Sequence, residues 1–356
     1  MRGLGLGAAL LVLGCGGSPE REENDAAEPE ASEAGADELD ASDPAPDAAT
    51  ADSGDSLDAG AARLSETGLY ADIAKGVLAS GVVPFQPQGA LWSDGADKQR
   101  WVYLPEGTRI DSTDMDAWRF PVGTKLWKEF ALQGKRLETR LLEKTGDETW
   151  TQVAFQWNDA QTDALALPDG AKNVAGGTHD IPSTKDCKRC HEGVADIAIG
   201  FTAMLLAHDG PGVTLSGLAQ AGQLTQAPTS ALSVPGTSEE KQALLYLHAN
   251  CGNCHNDRTF ISNVTDVDYS LKHDMLTAVD QTNAYRTIQR DLRRSGSVAK
   301  SQLIRRMEFR GIQGQMPPIA SEQVDQAGLA LVRSWVSTLP AAQDGGVDGG
   351  SADAGP

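Results

Sequence analysis

The chain has 356 residues, 50 of them Asp or Glu against 30 Lys or Arg, for a formal net charge of −20. At roughly 100–200 residues per domain, the length allows two or three domains. The acidity argues against nucleic-acid binding, which needs basic stripes, and no stretch is apolar for long enough to span a bilayer as a mature helix.

Residues 1–14 read as an export signal. Arg2 supplies the positive end, and an apolar run extends from Leu4 to Leu13. The run ends in Val12-Leu13-Gly14-Cys15, which resembles a bacterial lipobox. That resemblance implies cleavage before Cys15, acylation there, and a lipid anchor in the membrane. The expected location is the cell envelope, on the periplasmic side or outer surface, with the outer membrane as the default. Residues 15–63 are low complexity, and Arg21 is the only basic residue between 20 and 62. Such a stretch cannot bury enough apolar surface to offset its ordering entropy, so a disordered acidic tether is expected.

Residues 64–178 hold most of the Trp. A short helix is predicted around Leu69 to Ser80. Short apolar or alternating runs follow at Trp101–Leu104, Leu126–Phe130, Arg136–Leu142 and Trp150–Trp157, separated by breakers such as Gln133-Gly134 and Gly146-Asp147. Strands at this spacing predict an antiparallel β-sandwich. Trp92, Asp94 and Asp97 are candidates for a binding loop. Asn158, Asp159 and Asp163 are candidates for calcium oxygens. The plainer reading of both groups is turns around an aromatic core.

From residue 179 the pattern turns helical, so the predicted class is α+β and multidomain. Three further parts are expected: a segment over 179–235, a domain over 236–340 and a disordered tail over 341–356. Thr237-Ser-Glu-Glu240 has the form of a capping box opening a helix. A second helix is predicted after Ser321, with Val324, Leu331, Val332, Trp335, Val336 and Leu339 at helical spacing.

The chemistry lies in two short runs, Cys187-Lys-Arg-Cys190-His191 and Cys251-Gly-Asn-Cys254-His255. Cys-x-x-Cys-His is the attachment pattern of c-type haem. Each thiol adds across one porphyrin vinyl group, and the following His falls beneath the iron. The expected cofactors are therefore two covalent haems c, held by Cys187 and Cys190 and by Cys251 and Cys254, with His191 and His255 as proximal ligands. A redox disulfide or a single four-cysteine zinc site needs no His after each pair.

The second motif follows a helix and precedes Gly314-Gln315-Met316-Pro317-Pro318 and a C-terminal helix. This order resembles class I cytochrome c, and the resemblance implies Met316 as the distal ligand. His/Met ligation raises the potential. For the first haem the distal candidates are Met204 and His208, with His179 weaker and an open position also in play. His248 reads as structural.

The core as a whole resembles a family of uncharacterised exported bacterial haem proteins. The resemblance rests on Ala90-Leu-Trp-Ser-Asp-Gly-Ala96 with Lys98 and Arg100, on Phe120-Pro-Val-Gly-Thr124, and on Glu138-Thr-Arg-Leu141. It continues through Trp157-Asn158 with Gln161 to Ala164, and through Leu247-His-Ala-Asn-Cys251 and Met316-Pro-Pro. It implies that the Trp-rich part and the haem segments belong to one unit, and it names no substrate. The expected function is electron transfer with a redox protein partner in the envelope. The alternatives are a dihaem redox enzyme with an open first haem, peroxidase-like or a dehydrogenase subunit, and a surface-binding module.

Overall fold

The computed structural model describes residues 61–177, 179–319 and 321–340. The expected signal with Cys15, nearly all of the tether, and the tail lie outside the described residues. The described elements are, in order, strands β1 (Tyr70–Asp72), β2 (Val77–Leu78), β3 (Val82–Pro84), β4 (Asp97–Tyr103), β5 (Lys125–Leu132), β6 (Lys135–Gly146), β7 (Thr149–Trp157), β8 (Ala164–Ala166) and β9 (Ala171–Asn173). Helix α1 (Val174–Gly177), strand β10 (His179–Ile181), and helices α2 (Thr184–His191), α3 (Ala203–Leu206) and α4 (Leu215–Gln220) come next. Helices α5 (Ser238–Asn250), α6 (Asn283–Ser295), α7 (Gln302–Glu308) and α8 (Gln326–Thr338) complete the set. The protein is thus mixed α and β, with antiparallel sheets.

Strands β3 to β8 pair in sequence order as one six-stranded antiparallel meander. The β5–β6 turn is Gln133-Gly134, both with positive φ, the two-residue turn whose twist suits a hairpin. Period-2 alternation then sorts the side chains. Trp101, Trp127, Leu141, Phe155 and Trp157 face one way, against Leu64, Leu69 and the β1–β2 hairpin. Val102 and Leu126 face the other way, into a larger core with Phe201, Leu206, Leu244, Ile304, Val332 and Trp335.

Two expectations change here. The predicted helix over 69–80 is the β1–β2 hairpin instead, closed where the Ala79 N–H donates to the Leu69 carbonyl at 3.0 Å. Gly76, at φ +65°, turns the chain where a helix would have continued. The predicted sandwich has no second large sheet among the described residues. The face expected to meet one packs on helices and loops, because the apolar residues of the C-terminal half cover it. Residues 64–178, 179–235 and 236–340 thereby share one hydrophobic core.

Helix α5 starts on the Thr237–Glu240 capping box, and α8 on Asp325, whose carboxylate accepts from the Gly328 N–H at 2.9 Å. The two helices pack on each other, and Gly328 sets their separation: a Cβ there would fall inside the Tyr246 ring. Gly328→Val is expected to cost about 2–3 kcal/mol by overpacking, read as a lower midpoint in thermal unfolding. An unchanged midpoint would mean the helices part without penalty.

Candidate functional site

Helix α2 carries the first motif. Ser183 caps it, accepting from the Asp186 N–H, and the Asp186 carboxylate returns to Ser183. His191 at its end turns Nδ1 to the Ile197 carbonyl, 2.5 Å away. A carbonyl can only accept, so Nδ1 carries the proton and Nε2 keeps its lone pair free. Burial pushes the His191 pKa down to about 4 despite that hydrogen bond, so the ring is neutral at pH 7.

The loop that supplies Ile197 is itself latched. Asp196, at φ +50°, is buried and takes Lys144 Nζ at 2.6 Å, the Phe120 N–H at 2.5 Å and Trp150 Nε1 at 3.2 Å. The sheet therefore fixes the loop, and the loop fixes the imidazole.

The second motif caps α5. The Cys251 N–H closes the last turn on the Leu247 carbonyl at 2.8 Å, and the His255 N–H returns to the Cys251 carbonyl at 2.8 Å. Burial pushes the Cys251 thiol up to about 12 and lowers the His255 pKa. His255 Nδ1 is buried and has no hydrogen-bond partner among the described residues.

The two motifs meet. Interaction between Cys190 and Cys254 raises the Cys190 pKa and lowers that of Cys254. Asn256, buried just after the second motif, donates through Nδ2 to the Gly252 carbonyl at 2.7 Å and across to the Gly193 carbonyl at 3.2 Å. Gly193 permits this approach, since a Cβ there would strike the Thr259 side chain and lie 2.6 Å from the Asn253 carbonyl. None of the four motif cysteines forms a disulfide with another described residue. They line a single cavity of about 890 Å³ together with His191, His255 and Met316. That volume is at the large end of ordinary ligand pockets.

Met204 and His208 stand elsewhere. Met204 is buried in the hydrophobic core and is not part of the cavity wall. His208 has both nitrogens engaged, Nε2 with the Gln86 carbonyl at 2.6 Å and Nδ1 with the Gly210 N–H at 2.9 Å. His179, the weakest of the sequence candidates, does line the cavity. Its Nε2 lies 2.7 Å from Glu138 Oε1, and Glu138 in turn receives Arg140 through two hydrogen bonds at 2.5 and 2.8 Å. Burial alone would raise the Glu138 pKa; Arg140 and His179 overcome it and hold the carboxyl below its usual range. His248 accepts from the Leu271 N–H at 3.2 Å, in keeping with a structural role.

The Leu91–Asp94 segment is a fastener. Trp92 N–H donates to Asn250 Oδ1 at 2.6 Å, immediately before Cys251, and its indole N–H donates to the Gln323 carbonyl at 3.0 Å. Asp94 accepts the Glu322 and Gln323 N–H groups, both at 2.9 Å. The calcium candidates are used up locally: Asp163 accepts from Ser65, Asp159 pairs with Lys135, and Asn158 turns to Thr162. Among the described residues no group of three or more His, Cys, Asp or Glu side chains is arranged to hold a metal ion, a single four-cysteine zinc site included.

Sequence reasoning missed the polar floor of the cavity. Arg100, Lys128 and Arg140 are successive cross-strand partners on β4, β5 and β6, and all three line it. A partial signal was present: Arg100 and Arg140 directly precede the apolar pairs Trp101-Val102 and Leu141-Leu142, and Lys128 directly follows Leu126-Trp127.

No helix among the described residues is long and apolar enough to cross a membrane. No family model, curated protein or solved structure matches the chain.

Proposed function

We propose that the protein is a c-type cytochrome of the cell envelope that carries two covalent haems and transfers electrons to and from an external redox protein. The observation that carries this reading is the meeting of two Cys-x-x-Cys-His runs in one cavity, which Met316 also lines. Two haems so attached exchange electrons one at a time through Fe(II)/Fe(III) couples.

The donor set supports the assignment. Cys187 and Cys190 would hold one haem and Cys251 and Cys254 the other, through thioether links. His191 offers Nε2 because Ile197 holds the proton on Nδ1. His255 lines the same cavity, and its Nδ1 is buried without a hydrogen-bond partner among the described residues. Met316, tied through its N–H to the Arg306 carbonyl at 2.9 Å, offers a thioether to the same cavity. The packing of α5, which runs into Cys251, on α8 supports the class I cytochrome likeness of residues 236–340. Lipid anchoring at Cys15 and an outer-membrane site complete the proposal.

The test is the ferric and ferrous spectrum of the purified holoprotein, with and without carbon monoxide, beside that of Met316→Ala. Two covalent low-spin haems indifferent to carbon monoxide are expected. Met316→Ala is expected to lower one midpoint potential and remove any Met-to-iron charge-transfer band. Absence of covalent haem would sink the proposal.

One observation favours a second reading, a redox enzyme with an open first iron. His179 lines the cavity and is hydrogen-bonded to the buried Glu138 behind it, the arrangement of an acid–base residue held by a carboxylate. Carbon monoxide binding by the wild type would select that reading. Carbon monoxide binding only after His179→Ala would instead mark His179 as a ligand.

A further inference from the structure

Strands rarely set like charges side by side, because directly opposed cations repel. Here three do so in a row. Arg100 on β4 pairs in register with Lys128 on β5, and Lys128 with Arg140 on β6, all on the face that lines the cavity. Lys98, two residues before Arg100, lies on the same face, its ammonium spent on the Leu91 carbonyl.

Arg140 is neutralised by Glu138 and stacks on Phe130, its guanidinium carbon 4.2 Å from the ring centroid. Arg100 has no such relief, and Lys128 has only the Phe130 ring, its Nζ 5.0 Å from the centroid. Among the described residues neither forms an ion pair or a side-chain hydrogen bond, and Arg100 is buried. A buried cation without a partner is costly unless an anion completes it. Two cations without an anionic partner among the described residues therefore face one cavity. That space adjoins the first motif: Lys128 acts electrostatically on His191, and Arg140 on Cys187 and Cys190.

We infer that Arg100 and Lys128, backed by Arg140, form a carboxylate-binding site that seats the two propionate groups of the tetrapyrrole attached through Cys187 and Cys190. The inference rests on the haem reading above and adds the residues that orient the first haem. Two cations match two carboxylates in number and sign. The planar guanidinium of Arg100 can take a carboxylate through two parallel N–H groups, and the Lys128 ammonium acts as a point charge. Neither residue is proposed to touch the iron. Both are positioning residues, and their positive charge favours the reduced state of the haem they hold.

The same chemistry would also accept a free oxyanion, so the test has two arms. The variants are Arg100→Gln and Lys128→Gln, singly and together, in the full-length holoprotein. Two haems by intact mass are expected in each, with the midpoint potential of one haem lowered and that of the other unchanged. Arg100→Lys is expected to restore most of the loss, since it keeps the charge. If the double variant fails to accumulate, the single variants carry the same comparison. Two attached haems with both potentials at their wild-type values would overturn the inference. In the second arm the wild-type holoprotein is titrated with inorganic phosphate. No saturable spectral change is expected. A saturable change that Arg100→Gln removes would mean a free anion fills the site, and the propionate assignment would fall. A wild-type protein bearing no covalent haem would instead refute the cytochrome reading itself.

Discussion

On the proposed haem reading, a protein in which Cys251 and Cys254 are both alanine is expected to carry one covalent haem and the wild type two. Intact mass under denaturing conditions reads this directly, since thioethers survive unfolding and coordination does not. The remaining haem should be the one on Cys187 and Cys190. The two motifs share a wall, so the loss is also expected to be felt beyond its own site. Met307, Leu303 and Ile319 line the common cavity and would lose their covering, and the variant is expected to melt earlier than the wild type. A mass still corresponding to two haems would refute the assignment of this motif.

The second large effect is expected at Asp196, which touches neither motif's sulfurs. Lys144 and Asp196 have side chains only 3% and 5% exposed, 2.6 Å apart. Removing one partner from a buried pair leaves the other charge stranded, at a cost of about 3–5 kcal/mol. Asp196→Ala also orphans the Phe120 N–H and the Trp150 indole. The denaturant midpoint should fall accordingly with little change in slope. Because the Asp196 loop presents the carbonyl that orients His191, the first haem's absorption should also broaden or shift while the second stays as it was. Lys144→Met with Asp196→Leu separates the two effects. An apolar pair of similar bulk is expected to recover much of the stability, but not the loop's hold on His191. A single alanine variant with wild-type stability would show that water reaches Lys144 freely.

What the sequence conveyed depended on how local the signal was. The Cys-x-x-Cys-His spacing is written in five consecutive residues, and the Thr237–Glu240 box in four. The runs around Trp101, Trp127, Leu141 and Phe155 alternate strictly enough to mark β4 to β7. The hairpin at 70–78 was hidden, since Leu69, Ile73 and Val77 stand at helical spacing and only the turn at Gly76 contradicts it. Nothing local could tell that the sheet's second face would meet helices instead of another sheet. Nor does any short window show that the two motifs would line one cavity, since their approach runs through Gly193 and Asn256, which join distant segments. Met204 looked like a ligand because it sits soon after His191; its side chain packs in the core, as a flexible apolar residue does. The Arg100–Lys128–Arg140 row becomes a site only when three strands lie in register.

The clasp between Asp94 and the start of the C-terminal helix has a bearing on biogenesis. It joins residues 228 and 229 positions apart in the chain, and Trp92 reaches Asn250 across 158. Contacts of such range carry the largest loop-closure entropy and slow folding. Both attachment runs lie inside the loop that this clasp closes. On the proposed haem reading, the motif sulfhydryls would stay open to ligation until this long-range clasp forms.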